Sequence, residues 1–157
     1  MEVVYGVEHC ELSDQSQDDL NELFTTIESI ATIIDRDEQL LIVKTEHEYK
    51  MLQNFFEQKA FLEECLLLFQ LDSDSIHMLN TDYGFTADSG HSYLYKELTF
   101  PFQVSLNTEQ EQMAMLQMQE HIIAEEEGGS PIYYADRQQQ ELILRIASAY
   151  QVSFTLL

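Results

Sequence analysis

The sequence predicts an α/β or α+β fold: a single-layer mixed sheet of about five strands packed by four helices, in one compact domain spanning residues 1–157. Three observations carry that expectation. Strand-like and helix-like stretches alternate along the chain, the pattern of a central sheet with helices packed on it. Hydrophobic residues make up 45% of the sequence and aromatic residues 11%, the composition of a packed core. At 157 residues the chain can bury most of the surface its unfolded form exposes, so neither a metal nor a disulfide is needed as a staple.

The elements follow in order. Glu2 to Glu8 sets Val3, Val4, Tyr5 and Val7 around Gly6 and reads as a short strand. Ser16 with Asp19 marks a helix start, and Leu20, Leu23, Phe24, Ile27, Ile30, Ala31 and Ile34 recur at three- and four-residue intervals, which predicts a helix over 17–34. Asp35 to Glu38 interrupts that period. The run 39–44 (QLLIVK) is branched, apolar and too short for a helix, so it reads as a buried strand. Thr45 and Glu48 form a capping box, and Met51, Leu52, Phe55, Phe56, Leu62, Leu66 and Phe69 share one side of the helix it opens, with a break into two helices left open near Lys59.

Periodicity is lost over about 72–92, an irregular loop rich in turn residues, with Ile76 to Leu79 as a short strand inside it. Alternation returns before Leu106, with Leu98, Phe100, Phe102, Val104 and Leu106 facing one way, and Pro101 predicts an edge or a bulge. Thr108 and Glu111 form a second capping box, for a helix that buries Met115, Leu116, Met118, Ile122 and Ile123, exposes Met113 and ends at Glu125 to Gly129. Pro131 to Ala135 (PIYYA) is a strand. Asp136 caps a helix burying Leu142, Ile143, Ile146, Ala147 and Tyr150, and 152–157 closes the chain as a strand in an at least partly parallel carboxyl-terminal unit. QLLIVK and PIYYA, each followed by a capped helix, hint at a duplication that no shared residue pattern carries.

Charge is the outlier. Seven Lys and Arg stand against 29 Asp and Glu, a net charge of -22. A folded protein of this size exposes roughly 8,000 Å², so each uncompensated charge would occupy on the order of 400 Å², with neighbours about 20 Å apart. That spacing exceeds the Debye length of about 8 Å at physiological salt, so only clustering turns the surplus into a recognition surface. The singly scattered Lys and Arg argue against direct nucleic-acid binding, and an anionic membrane would repel the chain. A basic protein partner is the natural complement. No leader-like segment or membrane-length apolar run is present, and Cys10 and Cys65 make no CxxC pair, so the expectation is cytoplasmic.

Motifs of catalysis are missing: no GxSxG, no glycine-rich phosphate cradle, no HExxH. No cofactor is expected. His9 and Cys10 are adjacent on a strand and would point to opposite faces. The leading reading is therefore a non-enzymatic acidic binding protein that docks on a basic protein surface, as an inhibitor, an immunity-type neutraliser of a toxin, or a mimic of nucleic-acid charge. Its candidate binding residues are Asp14, Asp18, Asp19 and Glu22 near one helix start, with Glu120 on the helix opened by Thr108 and Glu125, Glu126 and Glu127 where that helix ends. Most such carboxylates near helix amino ends also have an ordinary explanation in the helix dipole. The rival is a metal-dependent hydrolase using His77, Asp82, Asp88 and His91, which supply imidazole and carboxylate ligands but no ligand spacing. The sequence leaves a homodimer open.

Overall fold

The computed structural model of the protein describes residues 1–71 and 81–157. Among these residues the fold is α+β, with four α-helices and ten strands in two antiparallel sheets. The chain divides into two compact units: unit 1 is Met1–Gln70 with Thr86–His91, and unit 2 is Leu71–Phe85 with Ser92–Leu157.

Unit 1 runs β1 (Glu2–His9), α1 (Gln17–Ile30), β2 (Ile33–Asp37), β3 (Leu40–Val43), α2 (Glu46–Lys59) and β4 (Leu62–Gln70). The strands lie in the order β2-β3-β1-β4, each antiparallel to its neighbour, which is the split βαβ, or ferredoxin-like, arrangement. Both helices begin where the caps were read. Ser16 Oγ accepts from the Asp19 amide and Thr45 Oγ1 from the Glu48 amide, satisfying donors that the first helical turn leaves unpaired. Val7, Leu23, Ile27, Leu41, Val43, Leu52 and Phe56 form the core, each contributing about 1.5–3 kcal/mol relative to exposure where large and fully buried. His9 belongs to this core: it is buried with its ring 5.4 Å from that of Phe56, and its Nδ1 lies 2.8 Å from the Cys10 carbonyl oxygen.

In unit 2 a 3-10 turn at Thr81–Tyr83 precedes β5 (Gly84–Thr86), and β6 (Ser92–Tyr95) follows. A Cβ on Gly84 would stand 2.0 Å from the Tyr93 carbonyl oxygen, so only glycine fits there. Then come β7 (Thr99–Val104), α3 (Glu109–Met118), β8 (Ile122–Glu126), β9 (Ile132–Asp136), α4 (Gln140–Tyr150) and β10 (Phe154–Leu156), with sheet order β8-β9-β7-β10. The ferredoxin-like arrangement thus occurs twice in one chain. QLLIVK and PIYYA are its two third strands. The second core holds Phe100, Phe102, Met115, Met118, Tyr133 and Ile143, and the Thr108–Glu111 capping box is complete in both directions.

The expected α+β class with four helices holds, while the one mixed sheet of about five strands is, among the described residues, two antiparallel sheets of six and four strands, because several strands hide inside helical periodicity. Ile34 falls on the helical period, yet α1 ends at Ile30 and the β-branched run after it opens β2. Leu62, Leu66 and Phe69 also keep helical spacing, but Ala60 turns left-handed and 62–70 extends against β1. Ile122 and Ile123 belong to β8, not to α3. That missed strand inserts a β8–β9 pair and makes the carboxyl-terminal unit antiparallel rather than parallel. Leu116 and Leu142, expected in the core, are 58% and 40% exposed. Pro101 sits in an inner strand, where its carbonyl faces β10 and accepts from Leu157 at 3.2 Å; its nitrogen faces the same way, at the end of β10, where the ladder needs no further donor. The expected strand at 76–79 lies outside the described residues.

Ala60 (φ 59°) and Gln151 (φ 55°) close α2 and α4 in the left-handed conformation. In both, the cap amide bonds three residues back and the next amide five residues back, to Phe56 and Ala147 respectively. A side chain at such a position is strained. Ala60→Gly and Gln151→Gly should each stabilise the protein by about 0.5–1 kcal/mol, read from urea denaturation midpoints.

Candidate docking face

The acidic surplus falls on both units. Unit 1 carries 17 Asp and Glu against 4 Lys and Arg, a net of -13, and unit 2 carries 12 against 3, a net of -9. The predicted binding residues divide between them. Asp14, Asp18, Asp19 and Glu22 are exposed at the start of α1, with Asp19 held 2.5 Å from Ser16 Oγ as part of the cap. In unit 2, Glu120 and Glu127 are exposed and Glu125 is half-buried. Glu126 is buried, and its Oε1 accepts from the Tyr134 hydroxyl at 2.7 Å. That carboxylate faces inward and the hydroxyl is held far above its ordinary pKa by burial and then by the bond to Glu126.

Unit 1 brings together a different set of carboxylates. Glu8 stands directly opposite Glu64 across the β1–β4 pair, and the amide of the next residue, His9, bonds the Gln39 carbonyl in the β2–β3 turn. Burial raises the Glu8 pKa above its ordinary value, and repulsion from Glu63 and Glu64, with a smaller push from Glu38, raises it further against the opposing pull of His9. Asp37 is raised by burial and then by Glu38, Asp88 and Asp35. Glu38 belongs to both groups. Seven carboxylates therefore link through Glu38 into one repelling chain: Glu63, Glu64, Glu8, Glu38, Asp37, Asp35 and Asp88. Arg36 lies within this stretch, with its guanidinium 5.6 Å over the Phe24 ring. Glu38 occupies the hairpin turn at φ 48°, where glycine or asparagine would be less strained.

This face was not legible in the sequence. Asp35 to Glu38 interrupts a helical period, and Glu63 and Glu64 fall inside the Leu62–Phe69 run whose spacing is helical. Only the strand register places them together.

Of the metal candidates, Asp88 and His91 lie in unit 1, Asp82 in the 3-10 turn of unit 2, and His77 outside the described residues. Among the described residues no three His, Cys, Asp or Glu side chains converge as a metal site would require. His91 instead joins a different contact. Asp35 is buried, and its Oδ2 accepts from Ser89 Oγ at 2.5 Å and meets His91 Nδ1 at 3.2 Å, while Oδ1 accepts from the Arg36 amide. These are the three groups of a serine hydrolase in the wrong order. Activation needs the hydroxyl on the imidazole nitrogen facing away from the carboxylate, whereas here Ser89 sits 3.1 Å from the same Nδ1 that meets Asp35. The arrangement clamps the turn at 87–90 to β2.

No helix among the described residues is long and apolar enough to cross a membrane. No protein-family model matches the chain, and neither the curated proteins nor the solved structures contain a match to it.

Two outcomes follow for stability. A carboxylate whose pKa is raised on folding stabilises the folded state below its unfolded pKa and loses that contribution as pH rises through the folded value, so at neutral pH Glu8 is a net cost. Glu8→Gln should raise stability at pH 7 by about 0.2–1 kcal/mol and make no difference near pH 4, measured by urea denaturation at both. Tyr134→Phe removes a buried donor to a carboxylate and should cost about 1.5–3 kcal/mol, seen as a lowered midpoint in the same assay.

Proposed function

We propose that this chain is a non-enzymatic docking protein whose acidic face binds a basic protein surface, in the manner of an inhibitor, an immunity-type neutraliser or a mimic of nucleic-acid charge. The observation that carries the reading is the linked set Glu63, Glu64, Glu8, Glu38, Asp37, Asp35 and Asp88 in unit 1, in which neighbouring carboxylates raise the pKa values of Glu8 and Asp37. Folding would relieve that repulsion by spacing the groups or by pairing them with Lys and Arg. The chain instead holds them close, and it places one of them at a strained backbone position. A cationic partner would neutralise the set, lower the pKa values it raises and repay part of the repulsion, so complex formation gains from what the free protein carries as a cost. The exposed acids of α1, Asp14, Asp18 and Glu22, would extend the attraction at longer range and steer encounter.

The test is titration of the full chain with fluorescent decalysine. Affinity should fall at least tenfold between about 0.05 M and about 0.5 M salt. Glu38→Gln, Glu63→Gln and Glu64→Gln together should weaken binding about threefold more than Asp14→Asn, Asp18→Asn and Glu22→Gln, which remove the same charge elsewhere on unit 1. Equal effects of the two triple variants, or affinity flat in salt, would refute the proposal.

A further inference from the structure

We infer that unit 2 carries a second docking surface, the outer stripe of α3, and that its occupant is a cationic amphipathic helix of a partner protein. It extends the reading above, keeping the partner basic and adding an apolar requirement that the unit 1 carboxylates do not impose. The place of Leu116 in the sequence assigns it to the core, yet it is 58% exposed, the highest value among the exposed large hydrophobic side chains of the described residues, and Met113 beside it is 47% exposed. Ala114, Met115 and Met118 fill the core face of the same helix, so Met113 and Leu116 point away from it.

Single exposed apolar residues are ordinary. Here two share a stripe with an acid: Glu109, Met113 and Leu116 follow at spacings of four and three residues on α3, which returns each to nearly the same angle on a helix of 3.6 residues per turn, and a second acid, Glu120, follows in the 3-10 turn Gln119–His121 that continues α3. Glu109 and Glu120 are exposed and bracket the apolar pair over about 16 Å. Lys and Arg are absent from 109–120, and no basic residue closes the last turn of α3, so the partial negative charge of the helix end adds to that of Glu120. Methionine and leucine together offer an adaptable apolar contact of the kind that accepts helices of varied sequence. Charge complementarity selects the occupant. A second copy of this chain would set acid against acid at both ends of the stripe, with -22 on each molecule. A helix with Lys or Arg on both sides of a short apolar patch meets every group.

The probe is a fluorescent helical peptide of leucine and lysine, titrated into the full chain beside decalysine. Met113→Ser with Leu116→Ser should leave circular dichroism and the urea midpoint unchanged, since both side chains are exposed. The double variant should bind the leucine–lysine peptide about tenfold more weakly and decalysine equally well. Equal binding of the leucine–lysine peptide by both proteins, or none by either, overturns the stripe. A dimer in sedimentation that the double variant converts to monomer also overturns it, because the occupant is then a second copy. Failure of decalysine alone removes the unit 1 reading and leaves this one standing.

Discussion

Each unit depends on one constraint: the four antiparallel strands of its ferredoxin-like arrangement present a face that must be covered, and two helices on that face are what cover it. Val7, Leu41 and Val43 from the first sheet meet Leu23, Ile27, Leu52 and Phe56 from its helices, and Phe100, Phe102 and Tyr133 meet Met115, Met118 and Ile143 in the second. With both cores closed by apolar side chains, charged residues are left to strand ends, turns and outer helix faces. The acidic surplus therefore has few places to go. Where two strand ends and a turn converge, as at Glu8, Glu64 and Glu38, the carboxylates become neighbours whether or not they are neighbours in the chain.

Much of this architecture was legible from the residues. The first strand, the caps at Ser16, Thr45 and Thr108, the buried runs QLLIVK and PIYYA and the mixed fold class all rest on local chemistry, and local chemistry determines them. The lost strands share a cause: at β2, β4 and β8 apolar residues sit at spacings that a helix and a fully buried strand both satisfy, so periodicity cannot separate the two. The stop signals were obscured as well. Ala60 and Gln151 hold left-handed positions where glycine would have announced the end of a helix. The docking face was less legible still, because cross-strand register is a property of the pair and appears in neither segment alone.

The two acidic surfaces differ in kind. The carboxylate chain of unit 1 is built from groups that repel, so the binding proposed for it would be electrostatic and would weaken with screening. The α3 stripe of unit 2 offers apolar area between two charges, which would add selectivity through shape and burial to the proposed docking. Neither surface draws on the two cores, so substitutions in one kind of site leave the other intact.

The Asp35 clamp carries a consequence for biosynthesis. Its partners Ser89 and His91 are separated from Asp35 by more than fifty residues, and unit 1 takes back 86–91 only after the chain has begun unit 2. The first four strands and two helices can leave the ribosome as a finished topology while their last tether is still inside the exit tunnel. A fragment cut at Gln70 would keep β1 to β4 with their two helices and forfeit the fastening, so gene dissection at that boundary separates a scaffold from its latch.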